Sequence, residues 1–202
     1  MGNKKEGRNP LYNKNTPDAI RTHDLPLISE LLHYSIGKKV EAARIIKNCK
    51  DITDKFIIRE TDTRCFVLAR GEVLPCHESK CPIFNIVKMK ILLKDSIFIH
   101  YHPLDLPFSY GDILMTFSAK LKKMIAVHSK EKFCIFVPNL KAKISVDDFK
   151  ARNKKLREQI ETAGSEKVFI EDKKMIEKYK EDIHNFWIKF AHDTKSKYIS
   201  TM

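Results

Sequence analysis

No stretch of this 202-residue chain stays apolar for the ~20 residues that a membrane-spanning helix needs. The chain starts with the basic residues MGNKKEGRNP, but the apolar segment of a secretory signal does not follow them. We therefore expect no secretory signal, no membrane partner and a cytoplasmic location.

Cysteine and glycine are both sparse, with five and six residues respectively. The five cysteines are odd in number and scattered, which favours reduced thiols over a disulfide framework. The composition also excludes a collagen, and hydrophobic residues at 43% exclude a wholly disordered chain. The length predicts one domain, alone or with an appendage, that is large enough to bury a core.

Acidic residues are fewer than basic ones, 26 against 38, and the net charge is +12. Such an excess favours an acidic partner, such as nucleic acid or anionic lipid. Basic and acidic residues number 10 and 5 in residues 1–50, 13 and 10 in 51–140, and 15 and 11 in 141–202. Most of the excess lies in the flanks, so nucleic acid is not the substrate that we expect for the centre.

The first half of the chain changes from a helical to a strand pattern. Residues 1–26 have no apolar period and are interpreted as an irregular basic tail. Residues 27–50 repeat apolar side chains at three- and four-residue steps, which predicts an amphipathic helix. Apolar, β-branched runs between residues 56 and 102 predict strands. These runs are CFVLA, which forms a hairpin with GEVLP through residues 69–72, then NIVKMKILL and DSIFIHYH with a turn at 94–95.

The second half predicts helices around one hairpin. Residues 109–121 predict a helix with Ser109 as N-cap, and KMIAVHS pairs with KFCIFVP. After Pro138 we expect helices only, one capped by Ser145 and one at about 171–192. The order of elements indicates an α/β or α+β domain at 27–140 and a C-terminal helical extension at 141–202.

The segment from Ile97 to Ile113, IFIHYHPLDLPFSYGDI, carries the candidate chemistry. Strand alternation puts His100 and His102 on one face, and Pro103 ends the strand. Asp112 follows in the first turn of the next helix and can return as an oxygen ligand. Two histidines, one carboxylate and a water form the open ligand set of a catalytic zinc site.

This segment resembles the JAMM motif of the JAB/MPN metalloprotease family. The motif consists of a distant Glu, His-x-His-Pro, a loop and Ser-x-x-Asp, and His100, His102, Pro103, Ser109 and Asp112 fill the last positions. The short loop is similar to the JAB-like domains of phage and mobile-element proteins. The resemblance covers about residues 28–138 and implies the MPN fold, a cytidine-deaminase-like mixed sheet flanked by helices.

The resemblance also implies roles for the residues. His100, His102 and Asp112 would hold Zn²⁺, whose bound water would act as the nucleophile. An upstream Glu would act as general base and then acid, and Ser109 would hydrogen-bond the developing oxyanion. The implied reaction is hydrolysis of a peptide or isopeptide bond in a protein or peptide substrate, with ubiquitin-like proteins among the candidates.

The general base has more than one candidate in the sequence. The upstream carboxylates include Glu41, Glu60, Glu72 and Glu78. The family has this Glu between the first helix and the first core strand, and Glu60 fits that position best. Glu72 lies beside a hairpin glycine, where we expect a solvated side chain.

Two other functions are also compatible with the sequence. One is a non-catalytic MPN-like module that binds a protein partner through its C-terminal helices, where Phe186, Trp187 and Phe190 form core or a docking stripe. Another is a basic, nucleic-acid-associated protein of a mobile element. A metallo-β-lactamase site is excluded, because its motif His-x-His-x-Asp-His would need residues other than Leu104-Asp105-Leu106 after His102. His128 is interpreted as structural or exposed, and the segment CHESKC as a loop rather than half a zinc knuckle.

Overall fold

The computed structural model describes residues 25–38, 40, 42–60, 65–69, 89–102, 107–142, 154 and 173–201. Residues 1–24 of the predicted tail, the GEVLP strand, the CHESKC loop and the start of the Ser145-capped helix lie outside these residues. Within the described ranges, no helix is long and apolar enough to cross a membrane.

Within the described ranges, the named elements follow one another as helix, strands, helix, strands, helix and strand. The named helices are α1 (Leu25–Lys38), α2 (Tyr110–Ser118) and α3 (Lys173–Asp193), and a shorter helical segment covers residues 89–93. The strands are β1 (Ala43–Lys47), β2 (Lys50–Asp51), β3 (Phe56–Glu60), β4 (Cys65–Ala69), β5 (Ile97–Tyr101), β6 (Lys123–Val127), β7 (Phe133–Val137) and β8 (Lys197–Ser200).

The core of the fold is a six-stranded mixed sheet in the order β2-β1-β5-β6-β7-β8. Strands β5 and β6 are parallel, whereas the other neighbours in this sheet are antiparallel. Strands β3 and β4 pair with each other in a separate two-stranded sheet. The predicted α/β class, with a mixed sheet flanked by helices, is confirmed at this level.

The two faces of the large sheet bury different clusters. On one face, Leu31 and Leu32 of α1 pack in a cluster with Ile125 of β6. On the other face, Ile113 of α2 and Trp187 of α3 pack with the opposite side chains of the same strands. Because the central strands β5, β6 and β7 are covered on both sides, they are apolar nearly throughout instead of alternating with polar residues.

The predicted helix over residues 27–50 is wrong beyond Lys38. Residues 43–47 form β1, and Asn48 and Cys49 have φ angles of 51° and 62° in the turn to β2. Two successive positive φ values are typical of a two-residue hairpin turn. A short apolar run that is buried on both sides does not distinguish a strand from a helix by its periodicity, which explains the error.

The predicted strand NIVKMKILL is also wrong in its described part. Residues 89–93 are helical, and the Lys94 amide donates to the Lys90 carbonyl oxygen at 3.0 Å. Ile91 is exposed and Leu93 is fully buried. Methionine, lysine and leucine are all good helix formers, so local propensity favours the helix that is observed.

Several other predicted elements are confirmed with small changes of boundary. Strand β5 lies within DSIFIHYH, the β6–β7 hairpin turns between Val127 and Phe133, and α2 begins after its N-cap Ser109. CFVLA is a strand, and its described partner is β3.

The C-terminal region contains a helix and a strand. The last predicted helix is confirmed as α3, but residues 197–200 form β8, which pairs with the edge of β7. Tyr198 and Ile199 favour a strand, and Lys195 has a φ angle of 53° in the turn that ends the helix. The domain boundary at residue 140 stays a prediction, and α3 and β8 pack with the large sheet.

Replacing Ile125 by alanine should lower the free energy of unfolding by about 2–5 kcal/mol, because a fully buried side chain would leave a cavity. Urea denaturation measures this change. Ile188→Ala is the matched control: the Ile188 side chain is 57% exposed, so its removal should stay within about 0.5 kcal/mol. Equal losses of unfolding free energy in the two variants would contradict the burial of Ile125 between α1 and the large sheet.

Candidate metal centre

His100 lies near the end of β5, between two strands that present small side chains to it. Its cross-strand partners are Ala43 on β1 and Ala126 on β6. Directly opposite residues share a face of the sheet, so these alanines leave room beside the imidazole ring. The strand end is fixed by the Tyr101 amide, which donates to the Ala42 carbonyl oxygen at 3.0 Å, and by the His102 amide, which donates to the Val127 carbonyl oxygen at 2.9 Å.

Asp112 reaches the same point because it belongs to a capping box at the start of α2. The Asp112 amide donates to Ser109 Oγ at 3.3 Å. In return, Asp112 Oδ2 accepts hydrogen bonds from the Ser109 amide and from Ser109 Oγ, each at 2.7 Å. This reciprocal pairing satisfies amide groups that a helix start leaves without partners, and it holds the Asp112 carboxylate in one orientation.

The three side chains converge. The ligand atoms of His100, His102 and Asp112 all lie within 4.8 Å of one another. Asp112 Oδ1 lies 3.9 Å from His100 Nε2, and Asp112 Oδ2 lies 3.6 Å from His102 Nε2. The two imidazole rings are stacked, with centroids 4.4 Å apart. The sequence prediction that these residues form one group is thus matched by their positions.

The three side chains of the group differ in exposure. The His100 side chain exposes 2% of its surface, whereas the His102 side chain exposes 11% and the Asp112 side chain 16%. His100 is therefore the most deeply buried of the three residues.

Burial and neighbouring charges determine the protonation of the site. Burial lowers the pKa of His100 to about 3, with smaller contributions from His102 and His128, although the Asp112 carboxylate opposes the shift. Burial acts to raise the pKa of Asp112, but His100, His102 and the hydrogen bond from Ser109 outweigh it and lower that pKa below its usual range. Neutral imidazole and ionised carboxylate are the forms that bind a metal.

The residues fit a metal ion. His100 Nε2 is buried and has no hydrogen-bond partner within the described part of the chain. A buried imidazole nitrogen without a partner is costly, and a metal ion would supply one. Among the described residues no fourth side chain of a ligand type joins the group. The site therefore offers two nitrogens and a carboxylate oxygen, with a coordination position left for another ligand.

His128 is a neighbour of the site that the sequence interpretation did not include. It is 5% exposed, and its ring lies 5.8 Å from the His102 ring at an interplanar angle of 77°. The alternative of an exposed His128 is therefore wrong. The β5–β6 register pairs Tyr101 with Val127, so the next residues along the chain, His102 and His128, come together. Only the parallel pairing reveals this, because the two residues are far apart in sequence.

The remaining predicted residues differ in what the structure describes. Ser109 lies at the site, and its hydroxyl is bound to Asp112. Glu60 ends β3 and pairs with Cys65 in the two-stranded sheet, but its side chain lies outside the described residues. Glu41, Glu72 and Glu78 lie outside them as well. The assignment of the general base stays a prediction.

Comparison with known proteins leaves the site to be interpreted from its own geometry. The chain matches no protein-family model, no curated protein and no solved structure.

Replacing His128 by phenylalanine should leave the metal stoichiometry unchanged, because an aromatic ring would still pack against His102 and His128 is not a member of the ligand group. Metal content after dialysis, measured by mass spectrometry, checks this. His102→Phe is the matched control and should lose the metal. Loss of metal in His128→Phe would mean that His128 closes the coordination sphere as a fourth ligand, as in a structural site.

Proposed function

We propose that this chain is a zinc-dependent metallopeptidase of the JAMM type, which hydrolyses a peptide or isopeptide bond in a protein or peptide substrate. The observation that carries the proposal is the convergence of His100, His102 and Asp112 at the end of β5 and the start of α2. Their order and spacing match the motif that the sequence resembles. The mixed sheet flanked by helices is compatible with an MPN-type domain, which is part of the proposal.

Zinc is the metal that we propose, because two imidazole nitrogens and one carboxylate oxygen with an open position suit its catalytic coordination. When bound, zinc would lower the pKa of a water molecule toward neutrality and polarise a substrate carbonyl group. His100 and His102 would contribute neutral nitrogen ligands, and Asp112 would contribute a negative charge. Ser109 orients the Asp112 carboxylate, and in the proposed reaction its hydroxyl would turn to the developing oxyanion.

The strand order of the large sheet supports Glu41, beside Glu60, as a candidate for the general base. The family position lies between the first helix and the first core strand. The sequence pattern favours Glu60 for this position, whereas the first strand of the large sheet is β1, and Glu41 precedes that strand by two residues. Ala42 accepts a hydrogen bond from Tyr101, and Ala43 pairs with His100. The backbone beside Glu41 is thus bonded to the histidine strand, so these contacts favour Glu41 over Glu60.

A cytoplasmic location remains part of the proposal. Within the described ranges, Cys49 and Cys134 form no disulfide bond. Free thiols are usual where the cellular environment keeps cysteines reduced.

The purified protein should contain about one zinc ion, and Asp112→Ala should release it, because one of its three protein ligands would be lost. Zinc is measured by mass spectrometry after dialysis against metal-free buffer. Asp182→Ala, which removes an exposed carboxylate from α3, is the control and should retain the zinc. A wild-type protein without affinity for zinc would refute the metallopeptidase.

Glutamine at the true general base should slow hydrolysis by about 10²- to 10⁴-fold while zinc stays bound, because the proton acceptor would be lost but no ligand would change. We expect this result for Glu41→Gln and near wild-type rates for Glu60→Gln. Cleavage of a diubiquitin isopeptide bond and of a mixed fluorogenic peptide set are the assays. The reverse result would assign the base to Glu60. A zinc-loaded wild type without activity in either assay would favour the non-catalytic binding module.

A further inference from the structure

Helix α3 contacts the chain segment directly before α2, the helix that carries the proposed ligand Asp112. The indole Nε1 of Trp187 donates a buried hydrogen bond of 2.8 Å to the carbonyl oxygen of Phe108. Trp187 is 2% exposed and Phe108 is 1% exposed. The two residues are 79 positions apart in sequence, so this bond joins α3 to the chain just before α2.

Phe108 contacts one member of the ligand group, His100, and directly precedes Ser109, which holds another member, Asp112. Its ring packs against His100 at a centroid distance of 6.3 Å and an interplanar angle of 89°. The next residue is Ser109, whose amide and hydroxyl hold Asp112 Oδ2. A displacement of the Phe108 peptide would therefore move the Ser109 cap and the Asp112 carboxylate relative to His100.

Trp187 is itself firmly held. Its ring makes edge-to-face contacts with Phe186 at 4.7 Å and with Phe190 at 5.6 Å. The same helix is joined to β8 by a hydrogen bond of 2.6 Å between His184 Nδ1 and the hydroxyl of Tyr198. The indole N–H thus belongs to a packed helix that is fixed to the sheet, and it can hold the Phe108 carbonyl in one position.

We propose that Trp187 is a positioning residue of the metal centre. Its indole N–H fixes the Phe108 carbonyl, and through the Ser109 cap it sets the orientation of Asp112 toward the two histidines. This inference rests on the proposed metal site. Groups that orient metal ligands from outside the coordination sphere commonly change metal affinity when they are removed. A buried carbonyl oxygen that loses its donor is destabilised, and a shift of the peptide toward another donor would relieve that cost.

Trp187→Phe tests the proposal, because it keeps a buried ring and removes the N–H donor. We expect zinc affinity, measured in competition with a chromophoric chelator, to fall about tenfold. The visible absorption of the Co²⁺-loaded protein should also shift, because the ligand geometry would change. Ile183→Val removes one methyl group from the buried face of the same helix and should leave both readouts at their wild-type values.

A second measurement does not need a metal. In the metal-free protein, amide exchange should be faster at Asp112 and Ile113 in Trp187→Phe than in the wild type, and equal in β6. Unchanged exchange at these two amides would overturn the positioning role. If the wild type binds neither Zn²⁺ nor Co²⁺ but the exchange difference is present, the proposed function fails while the loop contact stands.

A second variant guards against loss of folding in Trp187→Phe. Trp187 is the only tryptophan in the chain, so biosynthetic replacement of tryptophan by benzothienylalanine alters this residue alone. That side chain keeps the shape of the indole and has sulfur in the position of the N–H group. The same tenfold loss of zinc affinity supports the proposal, and wild-type affinity overturns it.

Discussion

The Asp112 carboxylate is the group on which the rest of the site depends. Its Oδ2 accepts two hydrogen bonds from Ser109, and its two oxygens lie within 4 Å of the Nε2 atoms of His100 and His102. The same carboxylate thus takes part in the capping box of α2 and belongs to the group that could hold a metal ion. A capping residue must stay in place for the helix to start there, so the stability of the helix and the geometry of the site are linked.

The large sheet supplies the second constraint. Parallel pairing of β5 with β6 and antiparallel pairing with β1 bury His100 between two alanines and bring His128 to the edge of His102. Burial keeps the His100 imidazole neutral, as a metal ligand must be. The opposite wall comes from Phe108, which α3 holds through Trp187. Segments that are far apart in sequence, from β1 to α3, therefore surround the site.

Much of this could be predicted from local patterns. Strands β5, β6 and β7 and helix α2 were predictable because their apolar periods are clear and Ser109 marks a helix start. The predictions failed where a short apolar run fits more than one structure. Residues 43–47 continue a helical period but form β1, and residues 89–93 look like a buried strand but are helical. The general base stays a prediction, because the position that the family gives it depends on which strand comes first in the sheet.

The sequence alone determined the types of ligand, their spacing and the helix cap, because each depends on residues that are near one another along the chain. Alternation places His100 and His102 on one face, and Ser109 with Asp112 forms a box within a single turn. Only the tertiary structure decided the burial of His100, the approach of His128 and the contact of Trp187 with Phe108. Those features join residues from 26 to 79 positions apart or depend on what covers a strand, and a local periodicity carries no information about such pairings.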